Sequence, residues 1–151
     1  LKGLDLMPTT TQAKTYTIGQ VAAMFNLSTY TLRYYDKEGL IPNLKKDAAG
    51  NRAFSEENLA TINIIECIKK AGMPIKDIKQ FIVWCNQGDA SLKQRLAMFQ
   101  QLRQDVLGQL AQLEETLATI EYKCDYYQQA VAAGTEASVK AKAHNTENVH
   151  D

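Results

Sequence analysis

The stretch Ser28-Thr-Tyr-Thr-Leu-Arg-Tyr-Tyr-Asp-Lys-Glu-Gly-Leu-Ile-Pro42 gathers an arginine, several hydroxyls and three tyrosines into a segment that reads as one short helix. It offers no acid–base pair and no activated nucleophile, so it is poor material for catalysis. Gripping a phosphate backbone is chemistry that it can do. Arg33 can give a charge-assisted bond to phosphate or a bidentate bond to guanine, and tyrosine hydroxyls suit phosphate oxygens. Thr29, Tyr30, Arg33 and Tyr34 fall on the outer faces of such a helix. Leu32 and one of the pair Tyr34 and Tyr35 must turn to the core.

Positioning these groups requires a frame, and the flanking sequence supplies one. Thr17-Ile-Gly-Gln20 reads as a capping box that opens a first helix, with Ile18, Val21, Ala22 and Phe25 recurring on one face. Asn26-Leu27 is a short turn. Ser28 caps the second helix and Gly39 ends it, because glycine takes the left-handed conformation cheaply. Two helices so joined form a helix-turn-helix. Leu40-Ile-Pro42 is extended, and the polar run from Asn43 to Phe54, with Gly50-Asn51 near its end, reads as a hairpin or wing. Lys45, Lys46, Asn51 and Arg52 on that wing are donors for the backbone flanking the groove.

Ser55 caps a third helix whose Leu59, Ile62, Ile65 and Ile68 face inward, and Gly72 closes it. Pro74 suits the first turn of a fourth helix, with Ile75, Ile78, Phe81, Ile82 and Cys85 inward. Asn86-Gln-Gly-Asp89 interrupts the pattern. A long helix is then expected over 91–132. Leu92, Phe99, Val106, Leu113, Ile120 and Tyr127 stand seven apart, and so do Leu96, Arg103, Leu110, Leu117 and Cys124. These are the two alternating lines of a coiled-coil seam, broken once by a polar residue, Arg103, which can fix register at a cost in stability. From Leu92 to Tyr127 the rod spans about 54 Å at ~1.5 Å per residue. A stripe of that length needs a second copy to bury it. The fold class read from these elements is mainly α: a winged helix-turn-helix domain followed by a long dimerisation helix.

The domains expected are therefore a disordered or appended N-terminus over 1–15, with Met7 a candidate natural start, a DNA-binding domain over 16–85, the coiled-coil helix over 91–132 and a flexible polar tail over 135–151. The 151-residue chain has no formal net charge. Between Lys14 and Cys85, however, ten Lys/Arg face seven Asp/Glu, a net +3, and the remainder from Asn86 carries a net −3. The basic excess lies with the tyrosine-rich helix, as nucleic-acid contact requires. Cys67, Cys85 and Cys124 are three widely spaced cysteines without a secretory signal before them, and no apolar run is long enough to span a membrane. Free thiols in a cytosolic protein are the plain reading. His144 and His150 sit in the polar tail, where solvent exposure is expected rather than metal ligation. No cofactor is implied.

Tyr-Thr-Ile-Gly-Gln-Val-Ala (16–22), Thr-Leu-Arg-Tyr-Tyr-Asp-Lys-Glu-Gly-Leu-Ile-Pro (31–42) and Asn-Arg-Ala-Phe-Ser (51–55), in that order and followed by a long helix, resemble the signature of MerR-family transcription regulators. The resemblance covers roughly 16–127. It implies an antiparallel coiled-coil homodimer on a near-palindromic promoter, which distorts an overlong spacer so that RNA polymerase engages both promoter elements. The polymerase is thus a partner only through the DNA, and distortion energy is repaid by protein contacts. The resemblance also implies DNA contacts at Arg33, at Tyr34 or Tyr35, and at Arg52. Ala53 departs from the pattern, since many members carry a larger residue there.

The segment 64–82 resembles the branch of the family that answers aldehydes and other electrophiles, the AdhR-like or NmlR-like regulators, which implies a reactive cysteine at Cys67. A thiolate is the attacking form, and Lys69 and Lys70 supply positive charge nearby. The C-terminal end of a helix opposes an anion, and periodicity alone allows a core cysteine at Cys67. A thiol-based metal-responsive regulator is the alternative. It would need convergent ligands, such as Cys85 and Cys124 meeting across a dimer. The two are otherwise small buried apolar side chains. Drug-sensing members carry a large C-terminal ligand domain, for which this chain has no room. A third reading is an interaction protein whose rod recruits partners without DNA. An enzyme is the class with the least support, since the chain has no nucleophile elbow, phosphate loop or metal cluster.

Overall fold

The structure is a computed structural model that describes residues 13–147. In order, its elements are α1 (Ile18–Phe25), α2 (Thr29–Lys37), β1 (Lys45–Lys46), β2 (Arg52–Ala53), α3 (Glu56–Lys70), α4 (Ile75–Asn86), a 3-10 turn (Gly88–Ser91), α5 (Leu92–Ala133) and α6 (Ala137–Glu147). The chain divides into two compact units at Leu102 and Arg103.

In the first unit α1, α2 and α3 each start where a side chain satisfies free N–H groups, whereas α4 starts after Pro74 with no side-chain cap. Thr17 and Gln20 form the reciprocal capping box of α1, and Ser28 accepts from the Thr31 N–H at the head of α2. Ser55 and Asn58 do the same for α3, and the buried Asn58 side chain also donates to the Pro42 carbonyl at 3.1 Å. Asn26, at φ 53°, ends α1 in the left-handed conformation that asparagine tolerates. That single residue makes the turn short enough for α1 and α2 to pack as a helix-turn-helix. Gly39, at φ 73°, ends α2 in the same region.

Val21, Leu32, Tyr35, Leu40, Phe54, Ile62, Ile65, Ile68 and Ile78 form the buried centre. Met98, Phe99 and Leu102, from the first turns of α5, pack against it. Phe99 stands on the seam by spacing, yet its ring meets Phe81 edge-on at 5.3 Å within this unit. The start of α5 is held by Ser91, whose hydroxyl donates to the Trp84 carbonyl, and by Arg95, which donates to the Gly88 carbonyl at 2.8 Å.

β1 and β2 form a two-stranded antiparallel wing with Lys45 opposite Ala53 and Lys46 opposite Arg52. Its turn is closed by the Asp47 carboxylate, which accepts from the Ala49 and Asn51 N–H groups at 2.9 Å each. Gly50 takes φ 83° there. A bridge between Tyr16 and Phe54 stitches the base of the wing to the segment before α1.

The second unit comprises α5 beyond Leu102 and α6. The seam residues Leu110, Leu113, Leu117, Ile120 and Tyr127 are about half exposed or more in the single chain. The flexible tail expected from 135 onward is corrected over its described part, because α6 is a helix to Glu147. Gly134 turns the chain at φ 70°, and the Thr135 N–H returns to the Ala130 carbonyl. Ala130 and Val139 are the buried apolar residues of this unit among the described residues. The segments 1–12 and 148–151, including His150, lie outside the described residues; His144 is exposed on α6.

Candidate nucleic-acid interface

The outer face of α2 is built by helical spacing. Tyr30, Arg33, Tyr34 and Lys37 stand at i, i+3, i+4 and i+7 and so share one side. Tyr30 is 77% exposed. Together with Arg52 from the wing, these four line a cleft of about 480 Å³. A neighbouring cleft of about 380 Å³ is lined by Thr17, Ile18, Arg33, Asp47, Gly50, Asn51 and Arg52. Arg33 and Arg52 belong to both, so the two arginines border two adjoining clefts between α2 and the wing.

Each arginine is held in place. Arg33 Nη1 donates to the Thr29 hydroxyl one turn back at 3.3 Å. Thr29 therefore orients the guanidinium as well as presenting its own hydroxyl. Arg52 Nε donates to Asp36 Oδ2 at 2.7 Å. Lys46 stands directly across the ladder from Arg52. Like charges directly opposite destabilise a strand pair, and a bound polyanion relieves that cost. Lys45 is exposed on the other side of the ladder.

Tyr34 and Tyr35 are separated by burial. Tyr34 is 38% exposed on the cleft side, whereas Tyr35 is 1% exposed. The expectation of a DNA contact at Tyr35 is thereby corrected: 100° of helical rotation turns it to the core. Its hydroxyl donates to Glu66 Oε1 at 2.6 Å and accepts from Lys69 Nζ at 3.0 Å. Burial, reinforced by the bond to Glu66, pushes that hydroxyl well above the usual tyrosine range.

Lys37, Asp36 and Glu38 were missed by sequence reading. Lys37 was legible, since it continues the stripe at i+4 from Arg33. Asp36 and Glu38 were not, because their partners are remote in sequence. Asp36 meets Arg52, and Glu38 pairs with Lys79 of α4, which holds the lysine's proton more tightly than usual.

Cys67 is exposed on α3. Ile62, Ile65 and Ile68 claim the inward stripe, which leaves Cys67 on the outer side with Asn63 and Lys70. The alternative of a core cysteine is corrected accordingly. Lys69, offered by sequence as a charge beside the thiol, is exposed and gives its ammonium to the Tyr35 hydroxyl. Cys85 is half-buried against the core of the first unit, and Cys124 is exposed in the second. Among the described residues no three His, Cys, Asp or Glu side chains gather to hold a metal ion, and no helix is long and apolar enough to cross a membrane.

Residues 16–82 match the MerR HTH family regulatory proteins. An uncharacterized HTH-type transcriptional regulator of Haemophilus influenzae is 42% identical, over 84% of this chain and 92% of that one. The HTH-type transcriptional regulator AdhR of Bacillus subtilis is 34% identical over 60% of this chain and 64% of its own length. Among solved structures, HiNmlR, a MerR family regulator lacking the sensor domain and bound to promoter DNA, superposes with a TM-score of 0.74 at 40% identity. That match covers 82% of this chain and 98% of HiNmlR. A MerR family regulator from Bacillus thuringiensis superposes at 0.67 with 43% identity, over 74% of this chain and 97% of its own. A capped helix-turn-helix, a wing and a long helix in one order, shared at this level of identity, establish that the chain belongs to the MerR family of helix-turn-helix transcriptional regulators.

Proposed function

We propose that this protein binds near-palindromic promoter DNA as a homodimer and alters the shape of that DNA in response to a signal. The observation that carries the reading is the convergence of Tyr30, Arg33, Tyr34 and Lys37 with the wing's Arg52 on one open groove. α2 enters the major groove, where Arg33 meets a base edge or phosphate, and Tyr30, Tyr34 and Thr29 place hydroxyls toward the backbone. The wing's Lys45, Lys46, Asn51 and Arg52 grip the flanking phosphates. The role is non-enzymatic and cytoplasmic, and RNA polymerase is engaged only through the promoter.

Dimerisation is supported by the seam: Leu113 is 65% exposed and Leu96 59% in the single chain. Each such side chain gains ~1.5–3 kcal/mol when fully buried, so a row of them favours a second copy, running antiparallel as in the family. Bound shape is the output, with the energy of bending DNA offset by contacts that only the bent form makes. Cys67, exposed on α3, is the leading receiver for an electrophile or aldehyde signal.

The test is Arg33→Ala against a duplex selected by the wild-type protein from a random-sequence pool. Affinity falls, and the slope of log K against log salt shrinks by about 0.9 for a lost phosphate contact. Unchanged affinity and slope would remove Arg33 from the interface.

A further inference from the structure

Arg52 does not approach the groove freely. Its Nε is taken by Asp36 Oδ2 at 2.7 Å, and the two side chains are only 26% and 29% exposed. Asp36 lies on α2 and Arg52 on β2, so this ion pair joins the recognition helix directly to the wing. Only Nε is used. A guanidinium carries five N–H donors in a fixed plane, and the edge opposite Asp36 is left to the two clefts that Arg52 lines.

We infer that Asp36 is a positioning residue for DNA contact: it clamps Arg52 by Nε so that both Nη groups are presented to a backbone phosphate alongside Arg33. The inference rests on the DNA-binding reading above. Charge alone argues the other way. A carboxylate beside the face that meets a polyanion repels it, so a chain selected only for attraction would carry no acid at position 36. Its presence is accounted for if fixing the geometry of Arg52 outweighs that repulsion. The like-charged neighbour Lys46, in register with Arg52, strengthens the need. Without Asp36 the guanidinium would swing away from the lysine and out of the groove. Asp36 offsets the repulsion on the protein's side, and the phosphate completes the balance on the other.

The sign of one substitution decides the matter. Asp36→Asn keeps shape and makes the face more positive. Positioning predicts that it binds the selected duplex about three- to tenfold more weakly, the loss of one charge-assisted contact. The salt slope should also fall by about 0.9. In an Arg52→Ala background the same substitution should produce no further loss, or a small gain as repulsion is lifted. Circular dichroism melts of all four proteins check that each folds. Tighter or equal binding by Asp36→Asn overturns the inference, as does a weakening that persists without Arg52 or leaves the salt slope unchanged. A wild-type protein that retains no duplex from the pool would sink the DNA-binding reading and this inference together. Wild-type binding with an indifferent Asp36→Asn sinks the inference alone.

Discussion

Tyr35 donates its hydroxyl to Glu66 Oε1 over 2.6 Å, tying the buried face of α2 to α3 one residue before Cys67. Lys69 completes the link from the next turn, its ammonium donating to the same hydroxyl and lying 5.6 Å from the ring centroid. Removing the hydroxyl by Tyr35→Phe leaves Glu66 and Lys69 without their common partner and costs about 1 kcal/mol at neutral pH. The pH dependence has a definite sign. A proton held more tightly in the folded state stabilises fully below the unfolded tyrosine value of 10.0. That contribution fades as pH climbs from there toward the raised folded value. Urea denaturation of both proteins at neutral pH and at about pH 11 should therefore show wild type losing its advantage over Tyr35→Phe. A constant gap would free Tyr35 from this role.

Phe99 and Leu113 share a heptad line but not a job. Phe99 packs on Phe81, so Phe99→Ala should lower the stability of the DNA-binding unit by about 2–3 kcal/mol, at or just below the ~3–5 kcal/mol of a fully buried aromatic because the ring is half-buried. Leu113→Asp should leave that unit intact and shift sedimentation from dimer to monomer. If the two variants behave alike, the division of the line is wrong.

Cys67 presents its thiol to solvent. A reporter driven by the regulated promoter should lose its induction by formaldehyde or methylglyoxal in Cys67→Ala while basal DNA binding persists. Full induction in that variant would direct the search for the sensor elsewhere.

α6 is mostly alanine and polar residues, and Val139, 7% exposed, is its one buried apolar side chain among the described residues, beside a cleft that Tyr122 and Tyr126 also line. Val139→Asp should detach it, and far-UV circular dichroism should lose helicity equivalent to about its 11 residues. Binding to DNA should be unchanged. Retained helicity would mean that the helix holds itself by propensity alone.

What could be read from sequence was whatever announces itself locally. The caps at Thr17, Ser28 and Ser55, the stops at Gly39 and Gly72 and the inward stripe of α3 all depend on neighbours within a turn or two, and all were legible. The choice between Tyr34 and Tyr35 was not, because adjacent helix positions differ only by rotation and the core decides. The pairs Asp36–Arg52 and Glu38–Lys79 bridge distant segments, and charge complementarity at such range leaves no pattern in a single chain. α6 escaped because one buried valine among alanines makes no periodic signal.

Positions 35 and 36 of α2, and Glu38 just past its end, are anchored to three different elements: α3 through Glu66, the wing through Arg52 and α4 through Lys79. The residues facing the groove, at 30, 33, 34 and 37, share none of those anchors. On the proposed function, recognition and attachment thus occupy separate letters of one short segment. If positions 30, 33, 34 and 37 read DNA as proposed, new operator preferences can arise there while the attachments at 35, 36 and 38 are kept. A helix transplanted whole from a relative would lose its alignment unless Glu66, Arg52 and Lys79 travelled with it.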